Sequence, residues 1–211
     1  GLGKILPQNL KDNLPTLFGY CSIAIGINSI IKASGMTAVV LAILVGFTIG
    51  HSLHLEHWTS KFFHKLVKAL HLGDEHIDME FYITAVALFC CSGFGWYSTL
   101  TEGITGDPSL LMSKAVLDFF TAMIFASTLG AAICAIPIPQ VIILFIVFGA
   151  GKLLAGVLTP AMFADLSACG GILTMAAGFR VSKIKSVPLV DLMPALILVM
   201  PFSLLWTTLM G

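Results

Sequence analysis

Apolar residues occupy this chain in long continuous runs, without the alternating pattern of a β-strand. After a short N-terminal stretch the runs cover residues 15–32, 36–53, 80–100, 109–136, 139–158, 163–181 and 189–209. A helix needs about 20 apolar residues to cross a bilayer, and helices satisfy their own backbone hydrogen bonds within the hydrocarbon. The pattern predicts an all-α membrane protein, a polytopic helical bundle with seven spans.

Between the second and third runs lies a polar stretch with helical periodicity. Leu55, Trp58, Phe62 and Leu66 recur every three or four residues, with lysines on the other face. This spacing predicts an amphipathic helix at the membrane interface within residues 54–76.

All six histidines fall between His51 and His76. His54, His57 and the intervening Glu56 are close enough in sequence for a metal site, because His and Glu are zinc ligands. The other interpretation is a solvated interfacial face without metal, and the sequence leaves both open.

The run at 109–136 contains two opposite charges, Lys114 and Asp118, with Thr121 one turn further along the same helical face. Asp107 can cap this helix, and Pro108 suits its first position. Ionisable residues inside a membrane are costly, so they usually pair and mark functional sites. The pair predicts either a substrate, ion or proton site, or an intrahelical ion pair that serves packing only.

The composition agrees with a membrane protein: 57% of the residues are hydrophobic and 10% charged, against about 45–50% and 25% in soluble domains. The formal net charge is zero, so we expect no nucleic-acid partner. The five cysteines lie in apolar runs without a CxxC pair, which favours buried small residues over disulfides or zinc ligands.

Basic residues cluster at three places, which fall on one side of the membrane if every run crosses it. They are Lys4 and Lys11, then Lys61, Lys65 and Lys68, then Arg180, Lys183 and Lys185. Because cytoplasmic loops carry an excess of lysine and arginine, this side is predicted to be cytoplasmic. The carboxyl terminus then lies outside.

The two ends of the chain resemble each other. Residues 19–28 can be laid over residues 171–180, which superimposes Gly19 on Gly171 and Gly26 on Gly178. Residues 1–6 likewise resemble 149–154, so we expect a first helix cut off at Gly1. An odd number of crossings separates the halves, which predicts an inverted repeat of three-helix units. Such repeats place transporter sites at corresponding glycine-interrupted segments, here with the polar candidates Ser22, Asn28, Thr174 and Arg180.

The predicted organisation is one transmembrane domain over residues 1–211. It comprises a first repeat (1–53), the amphipathic cytoplasmic segment (54–76), a central hairpin (80–136) and a second repeat (139–211). The chain has no HExxH, no GxSxG elbow and no glycine-rich phosphate loop. We therefore expect no enzymatic activity and no cofactor.

Several motifs together resemble the YqgA/YdfK family of bacterial inner-membrane proteins, catalogued as a domain of unknown function. They are Gly106 to Asp118, Ala122 to Gly130, Gly170 to Leu173, and Leu192 to Ala195. The resemblance implies a multi-pass protein of the bacterial inner (plasma) membrane with an apolar helix before Gly1. It implies no substrate.

Two functions follow from these observations. In the first, the protein is a small secondary transporter or ion-coupled carrier of a small solute or ion. Asp118 binds a cation or proton, Lys114 is its counter-charge, and the rest of the site comes from Thr121 and both repeats: Ser22, Gly26, Asn28, Thr174 and Gly178. In the second, the protein is a non-transporting membrane scaffold or sensor whose ion pair is structural. The bilayer is a partner in both, and both are compatible with a homo-oligomer.

Overall fold

The structure is a computed structural model that describes residues 8–69, 78–90 and 92–210. Within those ranges the regular structure is entirely helical. The helices are α1 Gln8–Ile30, α2 Met36–Ser52, α3 Leu55–Ala69, α4 Met79–Cys90, α5 Gly93–Thr105, α6 Ser109–Leu129, α7 Pro137–Leu154, α8 Pro160–Val181 and α9 Met193–Met210. Two short 3₁₀ helices, Gly130–Ala135 and Val190–Leu192, precede α7 and α9.

Five helical segments in the described ranges are long and apolar enough to cross a membrane, or six if the bent pair α2 and α3 forms one span. The five are Met79–Thr105, Ser109–Ala135, Pro137–Leu154, Pro160–Val181 and Val190–Leu209. The one predicted span not among these, residues 15–32, corresponds to α1, which is 23 residues long but has Gln8, Asn9 and Asn13 among its first residues. Seven crossings therefore stay a prediction.

Three predicted segments differ from the helices observed. The run at 80–100 is divided, because α4 ends at Cys90 and Ser92 caps α5 by accepting a hydrogen bond from the Gly95 N–H at 3.0 Å. The run at 109–136 does not form one continuous α-helix, since α6 ends at Leu129 and its C-cap, Gly130, has a φ of +60°. The amphipathic segment begins directly after α2, and α3 bends away from it by 58°.

Two pairs of helices pack backbone to backbone. A Cβ added to Gly19 or Gly178 would lie within 2.7 Å of the other residue's carbonyl oxygen, and Gly26 and Gly171 have the same relation within 2.8 Å. The contacts pair an early position of α1 with a late position of α8, so these helices are antiparallel. Gly46 and Gly50 of α2 approach α9 and its preceding turn in the same manner. Small residues permit such approaches in membrane bundles.

Aromatic rings fill the centre of the bundle around Phe125, which is fully buried. Its ring centroid lies 5.4 Å from that of Phe18 and 4.9 Å from that of Phe81. The nearby Tyr82 is also fully buried and donates its hydroxyl to the Ala132 carbonyl at 3.2 Å. This core joins α1, α4, α6 and the 3₁₀ helix after α6.

The outward faces of the helices are apolar, as expected of surfaces that meet lipid. Leu44, Phe145, Ile146 and Ile197 are each at least 60% exposed. The cysteine prediction is only partly right: Cys90 and Cys169 are buried, but Cys21 and Cys134 are exposed on these outward faces. All four are free thiols, and Cys91 lies outside the described residues.

Candidate functional site

Lys114 and Asp118 form the ion pair that their spacing predicts. Lys114 Nζ donates to Asp118 Oδ1 at 2.6 Å and also to Oδ2. Only 4% of the lysine side chain is exposed, against 23% of the aspartate side chain. The lysine is therefore sequestered by protein, whereas the carboxylate keeps an accessible surface.

Gln140 of α7 completes the site, and the sequence analysis did not identify it. Its side-chain N–H donates to Asp118 Oδ2 at 2.6 Å. Eleven residues of α6 follow Asp118, a helical length of about 16 Å. Gln140 reaches back over that length because Gly130 ends α6 and redirects the chain before α7 begins. An L side chain would be strained at its φ of +60°.

Gly95 makes room for the stem of Lys114. A Cβ at this position would stand 2.5 Å from the lysine Cε and 3.0 Å from the Ser92 hydroxyl. The lysine thus crosses the first turn of α5, next to the break between α4 and α5. Discontinuous helices form the binding sites of many transporters.

A cleft of about 820 Å³ opens beside this ion pair. Its walls come from α1, α4, α5, α6 and α8. Six of the eight residues predicted as a site line it: Ser22, Asn28, Lys114, Asp118, Thr121 and Thr174. The structure thus brings together residues from both ends of the sequence and from its centre.

Other polar and aromatic residues of the cleft were not predicted. They are Phe18, Ser29, Lys32, Phe89, Ser92, Phe94, Tyr97, Thr101, Thr105, Phe163 and Ser167. Lys32 is exposed and has no ion-pair partner in the described part of the chain. With Lys114 and Asp118 it accounts for all the charged residues of the lining, which carries one more positive than negative charge.

The hydroxyls of Thr121 and Thr174 are held by their own helices. Thr121 donates to the Leu117 carbonyl and Thr174 to the Gly170 carbonyl, both at 2.8 Å. Each oxygen keeps lone pairs that can accept a hydrogen bond. Gly26 and Gly178, the other two predicted residues, lie at the crossing of α1 and α8, where they allow the helices to approach.

The predicted metal residues do not converge. His54 Nδ1 lies 3.1 Å from the Ser52 carbonyl, and His51 Nδ1 lies 3.1 Å from Asp191 Oδ2. His57 lines a separate pocket beside Glu56. Among the residues described, no three His, Cys, Asp or Glu side chains are placed to hold a metal ion.

A second buried cation, Arg180, lies at the end of α8 outside the cleft. Its Nη1 is 2.9 Å from Glu56 Oε1, and its Nε is 3.4 Å from Glu80 Oε1. Ser186 also donates to Glu80. These contacts bind α8 to the first turns of α3 and α4, and we call Arg180, Glu56, Glu80 and Ser186 the basal cluster. The prediction had placed Arg180 with the polar candidates of the repeats.

Two further carboxylates, Asp165 and Asp191, hold loops in place. Asp165 is fully buried and accepts from Ser34 N–H at 2.8 Å, Gly35 N–H at 2.7 Å and Ser203 Oγ at 2.6 Å. Asp191 accepts from the Glu56 N–H at 2.8 Å, which caps α3. The available signal for Asp165 was an acid within a predicted span.

The N-cap of α6 is Pro108 and the helix begins at Ser109, one residue later than predicted, since the prediction had Asp107 as the cap and Pro108 as the first residue. Asp107 nevertheless contacts the start of the helix: its Oδ1 accepts from the side chain and the backbone N–H of Ser109. These hydrogen bonds, the side-chain one foremost, hold the pKa of Asp107 below its ordinary value. The group lies outside the cleft and is fully exposed to solvent.

Comparisons with known proteins agree with the motifs. The family described as "Protein of unknown function (DUF554)" matches residues 1–204. The chain belongs to this family. It is 40% identical to "Uncharacterized protein YqgA" of Escherichia coli K12 over 98% of this chain and 89% of that protein. It is 27% identical to "Uncharacterized membrane protein YdfK" of Bacillus subtilis 168, over 93% and 86% of the two chains.

The DUF554 chain has no match among solved structures. The membrane designation of YdfK and the apolar helices of the chain both identify a membrane protein.

Proposed function

We propose that this DUF554 protein is a small secondary transporter that carries a small solute or ion by alternating access. The observation that carries the proposal is the cleft of about 820 Å³ with a partly accessible carboxylate, Asp118, in its wall. A purely structural ion pair gains nothing from such a cavity. Scaffold or sensor function, the alternative, has no comparable observation in its favour.

The orientation and location follow the sequence argument. The basal cluster lies with α3 and its lysines, so it faces the cytoplasm by the positive-inside rule. At the end opposite the basal cluster, the cleft is lined by residues at three helix ends. Lys32 follows α1, Thr105 is the last residue of α5, and Pro160 is the first residue of α8. The proposal therefore has a multi-pass protein of the inner membrane with its cleft open to the outside.

The proposed inverted repeat is supported by the contacts of α1 with α8. An internal two-fold axis that exchanges the repeats carries Gly19 onto Gly171 and Gly178 onto Gly26. The contact between Gly19 and Gly178 then becomes the contact between Gly171 and Gly26, and both contacts occur. Rocking of one repeat against the other is the motion expected of such a pair.

A thin apolar layer separates the cleft from the basal cluster. A void of only about 10 Å³ lies between them, and it shares Leu88, Ser92 and Thr174 with the cleft. The rest of its lining is apolar and at most 6% exposed: Ala87, Leu173, Ala177 and Leu189. Beyond them a second cavity of about 520 Å³ contains Glu80 and Arg180. One end is thus open and the other sealed, which is the arrangement of a carrier in a single access state.

In this mechanism the solute enters the cleft and competes for Asp118 with Lys114 and Gln140. Because Asp118 is negative, a cation or proton can replace the lysine there, while an anion can be met by Lys114 or Lys32. Binding favours the state that closes the open end. The basal cluster then separates, and the apolar layer opens toward the cytoplasm.

The decisive experiment is solute flux in proteoliposomes. Purified protein is reconstituted and screened with labelled alkali cations, amino acids and carboxylates, next to Asp118→Asn and the matched control Asp107→Asn, whose carboxylate lies outside the cleft. The proposal expects at least one solute to be carried by the wild type and by Asp107→Asn but not by Asp118→Asn. Equal background flux in all three proteins for every solute would contradict it.

Alternating access has its own test, which needs no substrate. In a cysteine-free background, Ala87→Cys is treated with an impermeant thiol reagent from each side of the membrane. The proposal expects the thiol to react from the basal side, and faster when Arg180→Gln weakens the basal cluster. A thiol that stays unreactive in both backgrounds would oppose the mechanism.

A further inference from the structure

A third cavity lies on the other side of α4 from the cleft, and unlike the cleft it has no charged residue in its lining. Its volume is about 440 Å³, and its lining is almost wholly apolar. The residues come from α3, α4, α7 and the start of α9: Trp58, Thr59, Phe62, Phe63, Val86, Cys90, Pro139, Ile143, Val190 and Met193. We call this cavity the apolar groove.

Large aromatic residues of α3 stand open at the groove. Trp58 is 68% exposed and Phe62 is 56% exposed, whereas their neighbour Phe63 is buried against Tyr82. The helix thus turns one face to the protein core and a second apolar face outward. Exposed aromatic side chains beside an apolar groove indicate a surface that an apolar ligand covers.

A row of lysines borders these aromatics. At 100° per residue, Lys61, Lys65 and Lys68 share one face of α3, next to the face of Trp58 and Phe62. All three are exposed. Lys61 Nζ already lies 5.9 Å from the centre of the Trp58 ring, so cationic and apolar surfaces meet at the rim of the groove.

Among the residues that the structure describes, the carboxylates nearest this helix have other partners. Glu56 of α3 pairs with Arg180, and Asp191 accepts from the backbone of Glu56 and contacts His51. Within the described ranges, the lysine row has no acidic partner among the ion pairs. The row is therefore available to an anion from outside the chain.

We infer that the apolar groove binds one anionic phospholipid. Its acyl chain lies between α3, α4 and α7, along Val86, Cys90 and Ile143, and its phosphate is bound by Lys61 and Lys65. The charge of the row selects an anionic headgroup, and the apolar lining selects a hydrocarbon chain. A soluble phosphate compound satisfies only the first requirement, and a zwitterionic lipid only the second.

This inference goes beyond the proposed transport function and does not depend on it. Lipid at the groove would contact α3 and α4, the helices that contribute Glu56 and Glu80 to the basal cluster. The lipid is therefore placed to stabilise the sealed end, but its binding is measurable in a protein that transports nothing.

Trp58 provides a direct probe. In a Trp96→Phe, Trp206→Phe background it is the remaining tryptophan, and brominated acyl chains quench its fluorescence on contact. The protein is titrated in detergent micelles with brominated phosphatidylglycerol or brominated phosphatidylcholine. We expect saturable quenching by phosphatidylglycerol at concentrations about tenfold or more below those required for phosphatidylcholine, since each nearby lysine contributes roughly 1 kcal/mol toward anionic lipid.

Variants separate headgroup binding from chain binding. Lys61→Gln with Lys65→Gln should abolish the preference for phosphatidylglycerol, while the matched pair Lys183→Gln with Lys185→Gln, exposed at the same end of the bundle, should retain it. Ile143→Phe fills part of the groove without adding a second tryptophan and should reduce quenching by both lipids. Circular dichroism and thermal unfolding establish that each variant is folded.

Three results would overturn the inference. Equal quenching by the two lipids shows general contact with lipid and no headgroup selection. Loss of preference in both lysine pairs shows a diffuse electrostatic effect of the basic end. Displacement of brominated phosphatidylglycerol by inorganic phosphate shows an anion site without a lipid chain.

Discussion

Two buried cations, Lys114 and Arg180, are neutralised in different ways. Lys114 is paired with Asp118 of its own helix, Gln140 of another helix donates to the same carboxylate, and the lysine lines the cleft of about 820 Å³. Arg180 pairs with Glu56 and Glu80, which lie more than 90 positions away in sequence and join α3 and α4 to α8. A local pair survives when helices move apart, whereas a pair between elements must break. The pair within one helix therefore suits Lys114 to a binding site, and the pairs between helices suit Arg180 to holding one end of the bundle closed.

The largest expected effect is at the cleft. Asp118→Ala should lower the free energy of unfolding by about 3–5 kcal/mol, because Lys114 remains buried without its partner. Thermal or denaturant unfolding in detergent measures this loss. The double variant Lys114→Met with Asp118→Leu should recover most of it, since an apolar pair of similar volume removes both charges.

The double variant also separates the two functions. Under the transport proposal it regains stability but carries no solute in proteoliposomes. Recovery of both stability and the cellular phenotype would instead favour a scaffold with a structural ion pair.

The next effect is at the basal cluster. Arg180→Met should cost about 2–4 kcal/mol, because it leaves Glu56 partly buried without its cation. Glu80→Gln is the matched control and should cost less than about 1 kcal/mol, since an exposed ion pair contributes little. The Glu80 side chain is 59% exposed. Equal losses in the two variants would contradict the assigned difference between the carboxylates.

The crossing of α1 and α8 lies between the cleft and the basal cluster. The loss of stability caused by added side-chain volume at this crossing can be measured. Gly26→Ala would place a Cβ 2.6 Å from the Gly171 carbonyl oxygen, so we expect a loss of about 1–3 kcal/mol from overpacking. Gly149→Ala in α7 meets no atom within 4 Å and should be neutral or slightly stabilising. Comparable unfolding curves for both variants would argue against the close crossing.

The smallest effect is at Asp107, an exposed carboxylate that serves as a reference for the buried ones. Asp107→Ala should lower the melting temperature slightly at pH 7, because the two hydrogen bonds that Asp107 accepts from Ser109 are lost. Since the pKa of Asp107 is lowered in the folded protein, its contribution is present above the unfolded carboxyl pKa of about 3.9 and is lost as the pH falls through the folded value. Melting curves of both proteins should therefore converge in acid, and a difference that persists there would assign the effect to something other than charge.

The helical class and the Lys114–Asp118 pair could be predicted from the sequence because both depend on local spacing. Apolar runs of sufficient length make helices in lipid, and residues four apart lie on one helical face. Membership of the DUF554 family, indicated by the motifs around Asp118, is confirmed by the match over residues 1–204. Seven spans and an inverted repeat remain predictions.

Only the tertiary structure decided which residues meet across the bundle. Gln140 reaches Asp118 because of the turn at Gly130, and Arg180 pairs with acids far away in the chain; neither contact has a local pattern. The break at Ser92 was equally hidden, because the apolar run continues through it and hydropathy does not register where one helix ends and the next begins. Gly26 and Gly178 show the remaining ambiguity: a glycine in a membrane helix can line a site or let a neighbouring helix approach, and only the position of that neighbour distinguishes the two.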